Sequence, residues 1–311
     1  MQPLPDELGP RFSVRQAKDA GVSNGRLRRT DMDKPFHGVR VVDDAVLPAG
    51  LDADRWGRTL GPAERAHLAS ALAYAPRMTD GEFFSHVTAA VILGIPLPYL
   101  VVARSLLHVS VFHPRRLPRS VGVRGHEAKP SLVNTTRDER TGLLIASPAA
   151  VWVSLGQVTD PYDLVAAGDA VVRTWRVESR LASLADLHGA VSGGRRVGVA
   201  SAKLALPRVR TDSASRTESW LRLTLIDHGL PEPERNHDVY ENGAYLGCVD
   251  LAYPGLKIAI EYEGEHHLLD PEQWARDIAR YEALRAAGWI VVQITKAELF
   301  DEPVAAVRRV R

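Results

Sequence analysis

Apolar positions recur along this chain at two periods, and the changes between them mark out its segments. Residues 12–29, "FSVRQAKDAGVSNGRLRR", place Val14 and Ala17 on one side of a short helix that Ser13 can cap and Gly21 can end. Ser23 can cap a second short helix running through Leu27 into Arg28 and Arg29, and "FHGVRVV" (36–42) has strand composition. After an Asp-, Gly- and Pro-rich joint, "AERAHLASALAYA" and "SHVTAAVILGI" read as helices, "LLHVSVF" and "TGLLIAS" as strands, and "SPAAVWVSLGQV" and "PYDLVAAGDAVVR" as helices again. A polar stretch, "LALPRVRTDSAS", precedes a third segment. There Glu218, Leu221, Leu225 and Ile226 fall on helical spacing and Gly229 supplies a stop. A short apolar hairpin, the helix "PEQWARDIARYEALRAAG", the strand "WIVVQIT" and a last helix from Lys296 follow. The expected fold class is α/β and multidomain, with units at 1–50, 60–207 and 213–311.

Composition narrows the function classes. No stretch of the 311 residues approaches the ~20 apolar residues of a membrane span, and "MQPLPDELGPRFSVRQ" lacks the basic start and apolar core of a signal peptide. The single cysteine, Cys248, excludes an intramolecular disulfide and a cysteine-caged zinc. A cytoplasmic protein is the expectation. The net charge of +1 conceals an asymmetry: 15–40 carries seven Lys or Arg against three Asp, and 104–140 eight against three acids. Residues 213–311 reverse the balance, with eleven basic and seventeen acidic side chains. Basic segments beside an acidic one fit a polyanion held by one part and metal-dependent chemistry in another. Arg26, Arg28 and Arg29 make the second short helix basic, as in a helix-turn-helix unit that docks on DNA. In "VFHPRRLPRSVGVRGHE", Arg115, Arg116, Arg119 and Arg124 lie beside His113 and His126, which suits either a solvated loop or phosphate contacts.

The sharpest chemistry is in "VDLAYPGLKIAIEYEGEHH" (249–267). Strands avoid Asp and Glu, and apolar neighbours make unpaired acids costly. Taking Pro254 and Gly255 as a two-residue turn pairs Tyr253 with Leu256 and sets Asp250 opposite Ala259. Alternation then puts Lys257, Ala259, Glu261 and Glu263 on one face, with Asp250 diagonal to Glu261 and to Lys257. Two carboxylates ~5 Å apart repel by ~3 kcal/mol at an effective dielectric near ~20, which a cation or a shared proton relieves. Oxygen-only ligands suit Mg2+, or Mn2+ in its place. Adjacent His266 and His267 point apart on a strand, which argues against a zinc site built from both.

With these residues in place, the third segment resembles the PD-(D/E)XK nuclease superfamily and, within it, the very-short-patch-repair-like endonuclease domain of bacterial proteins. Glu218, Asp250 in "VDLAYP", Glu261 and Glu263 in "IEYEG", His267 three places after Gly264, and Asp277 and Arg280 in "RDIARYEALRAAGW" carry the resemblance. It implies a divalent-metal phosphodiesterase fold with Asp250 and Glu261 as metal ligands and Glu218 as an accessory acid. Glu263 departs from the pattern, where a Lys that helps activate water is usual. His267, oriented by Asp277, or Lys257 from across the hairpin then takes that role, and Arg280 binds phosphate. Failing both, the domain no longer cuts.

The first two segments are similar to abortive-infection antitoxins and regulators, in which a winged helix precedes an α/β domain. "FSVRQAKDAGVSNGRLRR" and "FHGVRV" carry this likeness. It implies DNA binding and, by association, a cognate toxin or defence-system partner. Two functions follow as expectations: a Mg2+-dependent DNA endonuclease, or a non-catalytic DNA-binding regulator or antitoxin with a degenerate nuclease domain. A small-molecule hydrolase has no nucleophile motif in its favour.

Overall fold

The computed structural model describes residues 3–42, 47–264 and 271–311, except for the side chains of 271–275. Ser13 closes strand β1 (Arg11–Ser13) and caps helix α1 (Val14–Asp19). Its Oγ accepts the Gln16 amide at 3.2 Å while Gln16 Oε1 accepts the Ser13 amide at 2.8 Å, a reciprocal pair that satisfies two otherwise orphaned donors. Ser23 caps α2 (Asn24–Leu27), which is only one turn long. Strands β2 (Met32–Asp33) and β3 (Val39–Val42) complete an antiparallel sheet of order β1-β3-β2 over Phe12, Ala17, Val22, Leu27 and Met32.

Next come α3 (Pro62–Tyr74), β4 (Glu82–Phe84), α4 (His86–Leu93), α5 (Tyr99–Ala103), β5 (Leu107–Phe112) and β6 (Val123–Ala128). Then β7 (Thr135–Arg137), β8 (Leu144–Ala146), α6 (Pro148–Leu155), α7 (Pro161–Val172), α8 (Leu184–Ser192) and α9 (Val199–Ala205) follow. The sheet, of order β6-β5-β4-β8-β7, is mixed: β5 runs parallel to β6 and β4 to β8, while the other pairs are antiparallel. Every residue of helix α4 from Val87 to Leu93 is buried, Thr88 among them.

The remaining elements are α10 (Arg216–Asp227), β9 (Glu234–Glu241), β10 (Ala244–Tyr253), β11 (Ile258–Glu263), α11 (Pro271–Ala286), β12 (Ile290–Thr295), α12 (Lys296–Phe300) and α13 (Pro303–Val310). Their sheet has the order β12-β11-β10-β9, with β11 parallel to β12 and the other pairs antiparallel. Leu251, Ile260, Val292 and Ile294 pack with Leu221 and Leu225 of α10 and with α12 and α13. Val239, Val249, Ala252 and Ala259 pack with Tyr281 and Leu284 of α11. Strand β9 is absent from the sequence reading. Asn242 and Gly243, both at positive φ, make the tight turn that joins it to β10.

By internal contacts, Met1–Leu164 with Ala182–Leu206 form one unit, and Val165–Leu181 with Pro207–Arg311 the other. Residues 165–181, which the sequence reading placed in the middle segment, thus go with the C-terminal one. The cause is chemical: buried Asp169 accepts Arg222 Nη2 at 2.9 Å, Ser219 Oγ at 2.6 Å and the Arg210 amide at 2.7 Å. The chain is therefore an α/β protein with mixed sheets. Among the described residues no helix is long and apolar enough to cross a membrane.

Candidate functional site

The hairpin turn differs from the two-residue form predicted. Pro254–Leu256 make a 3-10 turn and Lys257 adopts a left-handed conformation at φ 51°, so four residues separate the strands. Tyr253 pairs with Ile258, Ala252 with Ala259 and Leu251 with Ile260. The register is displaced by two residues from the expected one. An even displacement preserves faces, and continuing the pairing by one sets Asp250 directly opposite Glu261. Asp250 Oδ2 accepts the backbone N–H of Tyr262 at 2.9 Å. It thereby satisfies a donor just past the last of these strand pairs.

Glu218 enters from the first turn of α10, where Ser215 is the N-cap. Its Oε2 accepts the Ala214 amide and Asn236 Nδ2, each at 2.9 Å. Asn236, at φ 46°, is fixed in turn by donating to the Asp212 carbonyl at 2.7 Å. Burial, and then the charge of Asp250, push the Glu218 carboxyl up to about 7. The same two causes, in the same order, push Glu261 to about 8, against the pull of Arg280. Three acids from one helix start and two neighbouring strands thus share one electrostatic environment.

Arg280 changes the picture drawn from sequence. Expected to bind phosphate, it points inward instead: Nη1 donates to Glu261 Oε1 at 2.7 Å and to the Cys248 carbonyl at 3.0 Å, and Nη2 lies 3.3 Å from Glu261 Oε2. Asp277, on the same helix, lies 3.4 Å from Nη2. The stem of Arg280 passes over Gly247, where a side chain's first carbon would come within 2.8 Å of it. Gly247, at φ 149°, adjoins the irregularity in the β9–β10 pairing. An internal guanidinium therefore already occupies one of the two expected metal ligands.

Lys257 does not lean across the hairpin. Being in the turn rather than in β11, it sends its ammonium to the Ala287 carbonyl at 2.8 Å, beyond the end of α11, and to within 4.0 Å of Glu241. Glu263, at the position where the nuclease pattern has Lys, accepts from Tyr281 Oη at 3.2 Å and from Gln293 Nε2. His266 and His267 lie outside the described residues.

Of the arginines expected on DNA, Arg26 is turned into the protein. Its guanidinium grips Asp31 at 2.8–2.9 Å and is buried beside Leu27. Arg28, Arg29, Arg116 and Arg119 are exposed, and Arg115, also exposed, donates to the Asp80 carbonyl.

A second cluster escaped the sequence reading, which had grouped His126 with the basic loop. His86 at the start of α4, His108 on β5 and His126 on β6 bring one ring nitrogen each within 4.8 Å of one another. The rings stack, with centroids 3.9 Å apart for His86 and His126 and 4.9 Å for His108 and His126. Burial first, and then neighbouring imidazoles and Arg124, push His86 down to about 2 and His108 to about 3. His126 falls to about 4 through burial and Arg124. No local motif announces the trio, since its members come from three separate elements. The only sequence signal was a histidine inside a mostly apolar strand, "LLHVSVF".

Comparison with known proteins gives relatives described only as uncharacterized. Uncharacterized proteins from two strains of Mycobacterium tuberculosis are each 30% identical to this chain over 189 residues. The match takes in 60% of this chain, and the chain spans 66% of the relatives' own length. No family model matches the chain, and no solved structure matches it significantly.

Proposed function

We propose that the C-terminal unit is a divalent-cation-dependent endonuclease domain that hydrolyses phosphodiester bonds of DNA. In this reading the exposed arginines of the other unit contribute DNA contacts. The observation that carries it is the electrostatic coupling of Glu218 and Glu261 to Asp250, with Glu218 pushed up to about 7 and Glu261 to about 8 by burial and by the charge of Asp250. Such a cluster gains stability by taking up a cation. Its donors are hard oxygens, which fit Mg2+ or Mn2+ held by Asp250 and Glu261. When bound, the ion supplies polarisation of a phosphate and acidification of a water. Glu218 titrates near neutrality and is held by two donors, so it is suited to keep or release a proton there. His267 stays the candidate base on sequence grounds.

A second reading, a DNA-binding regulator with a degenerate nuclease domain, is favoured by a specific contact. Arg280 on Glu261 at 2.7 Å does from within what the cation would do, and Lys257 is engaged elsewhere. A cognate toxin or defence-system partner belongs to this reading. The two separate in a plasmid-nicking assay with Mg2+ or Mn2+, run beside calorimetric titration of the cation. Asn at position 250 can still accept the Tyr262 amide, so Asp250→Asn should fold and melt like the wild type. Cation-dependent nicking that disappears in Asp250→Asn supports the nuclease. Absence of both cation binding and cleavage hands the unit to the regulator.

A further inference from the structure

The histidine cluster lies in the unit that the nuclease reading leaves without chemistry. We propose that His86, His108 and His126 form a binding site for a zinc-class divalent transition ion, its fourth position open to a cavity that accepts a small anion. Imidazole nitrogens suit Zn2+, Co2+, Ni2+ or Cu2+, whereas Mg2+ prefers oxygen, so this site and the carboxylate cluster select different ions.

Four observations support it. The first is convergence: three ligand nitrogens within 4.8 Å of one another, on rings carried by regular elements of the fold. The second is the hydrogen bonding behind the rings. His108 Nε2 lies 3.0 Å from Ser105 Oγ, whose own hydroxyl donates to the Leu106 carbonyl at 3.1 Å. That arrangement makes Nε2 the protonated nitrogen and leaves Nδ1 bare. His86 Nδ1 lies 2.9 Å from Ser85 Oγ, which accepts from Ser110 at 2.7 Å, so the serine pair fixes the ring, and the tautomer with its proton on Nδ1 offers Nε2. Holding the far nitrogen in this way is how ligating histidines are oriented.

The third is spacing. His108 Nδ1 and His126 Nε2 are 2.9 Å apart and share a proton. Two Zn–N bonds of ~2.0–2.1 Å at a tetrahedral angle put their nitrogens ~3.3 Å apart, so in this pair an ion takes the proton's place, the proton passing to His126 Nδ1, with an opening of a few tenths of an ångström. His86, stacked on His126, turns to complete the set. The fourth is access. A cavity of about 290 Å³ is lined by His86, His126, Ser85 and Ser110 together with Lys129 and Arg195. Arg196 also lines it and has a buried Nε that lacks a hydrogen-bond partner. Three protein ligands with an open fourth position is the pattern of zinc sites that bind exogenous ligands. The cations outnumber the one acid of the lining, Glu127, which selects an anion.

The test is a Co2+ titration of the untagged full chain, read by the visible absorption of the bound ion, with Zn2+ as competitor. One equivalent should bind. His86→Gln and His126→Gln should each weaken it by ~100-fold or more, and Ser105→Ala, which disturbs packing least, by ~10–100-fold. Asp250→Asn and the double change His266→Ala with His267→Ala should leave the affinity unchanged, which separates this site from the proposed nuclease. Inorganic phosphate should shift the cobalt spectrum. Binding of no equivalent, wild-type affinity in His86→Gln and His126→Gln, or loss in the His266 and His267 double variant would overturn the metal site. An unmoved spectrum with phosphate would overturn its anion.

Discussion

The acidic cluster of one unit and the histidine cluster of the other meet the same difficulty with opposite signs. Each takes ionisable groups out of water, and each resists the charged form. The carboxylates respond by keeping protons, Glu218 to about 7 and Glu261 to about 8, whereas the imidazoles shed theirs, with values of about 2 to 4. They part over the counter-charge. Arg280 is built in against Glu261, while the charged neighbour acting on all three histidines is another cation, Arg124. A buried group with its own counter-ion is a structural pair as well as a candidate site. A group without one depends on a proton or on something from outside.

The contrast predicts opposite responses to pH, and the histidines should give the largest. Their folded-state values lie below the unfolded 6.5, so their contribution is present above that pH and is lost as the pH falls toward about 4 and below. Melting of the metal-free protein should therefore fall steeply between about pH 7 and 5, and much less in the double variant His86→Gln with His126→Gln. An equal fall in the variant breaks the contrast. Next in size is Arg280→Met, which strands Glu261. Well above pH 8, where Glu261 is ionised beside Arg280, it should cost ~3 kcal/mol, with less lost near pH 5, where the acid is neutral. Partial recovery on adding Mg2+ would mean that the ion takes Arg280's place. Wild-type melting at both pH values would mean that Arg280 is no counter-ion.

Glu218 gives a smaller effect of the other sign. Its folded value of about 7 exceeds the unfolded 4.5, so the contribution is whole below 4.5 and is lost as the pH rises through about 7. Glu218→Gln should melt like the wild type near pH 4.5 and ~4 °C or more higher near pH 8, as 1 kcal/mol is worth ~2–4 °C in a domain of this size. In the other unit, Arg28→Glu with Arg29→Glu should weaken duplex DNA binding ~10-fold and flatten its salt dependence by about two counterions. Arg26→Ala should leave affinity alone and lower stability. Smallest of all, Lys257→Ala should cost under ~1 kcal/mol, the worth of a cation at a helix C-terminus, and leave any nicking unchanged.

These contrasts also separate what the sequence could show from what it could not. Alternation around "YPGL" put Asp250 and Glu261 on one face, and that survives although the turn is longer than its Pro-Gly suggests. Loop length is a property of the turn's backbone, here Lys257 at positive φ, which composition does not display. Strand β9 was legible in Asn242–Gly243 and overlooked for its polar residues. That Arg280 points at Glu261 depends on how α11 is rotated against the sheet, a packing result with no local signature. Arg26 misled because a basic cluster says nothing of which member turns inward. The three histidines are joined only by the parallel pairing of β5 with β6 and the placement of α4, long-range facts invisible to spacing.

The notch at Gly247 has a consequence of its own. Arg280 reaches Glu261 by laying its methylenes over a position with no side chain, and any first carbon there would meet them at 2.8 Å. The charge on the acidic cluster is thus governed from a distance by a missing methyl group. Adding one at Gly247 would press on the stem of Arg280 and loosen its hold on Glu261. One residue in the sheet, remote from any proton transfer, can in this way decide whether the cluster is closed by the fold or open to an ion from solution.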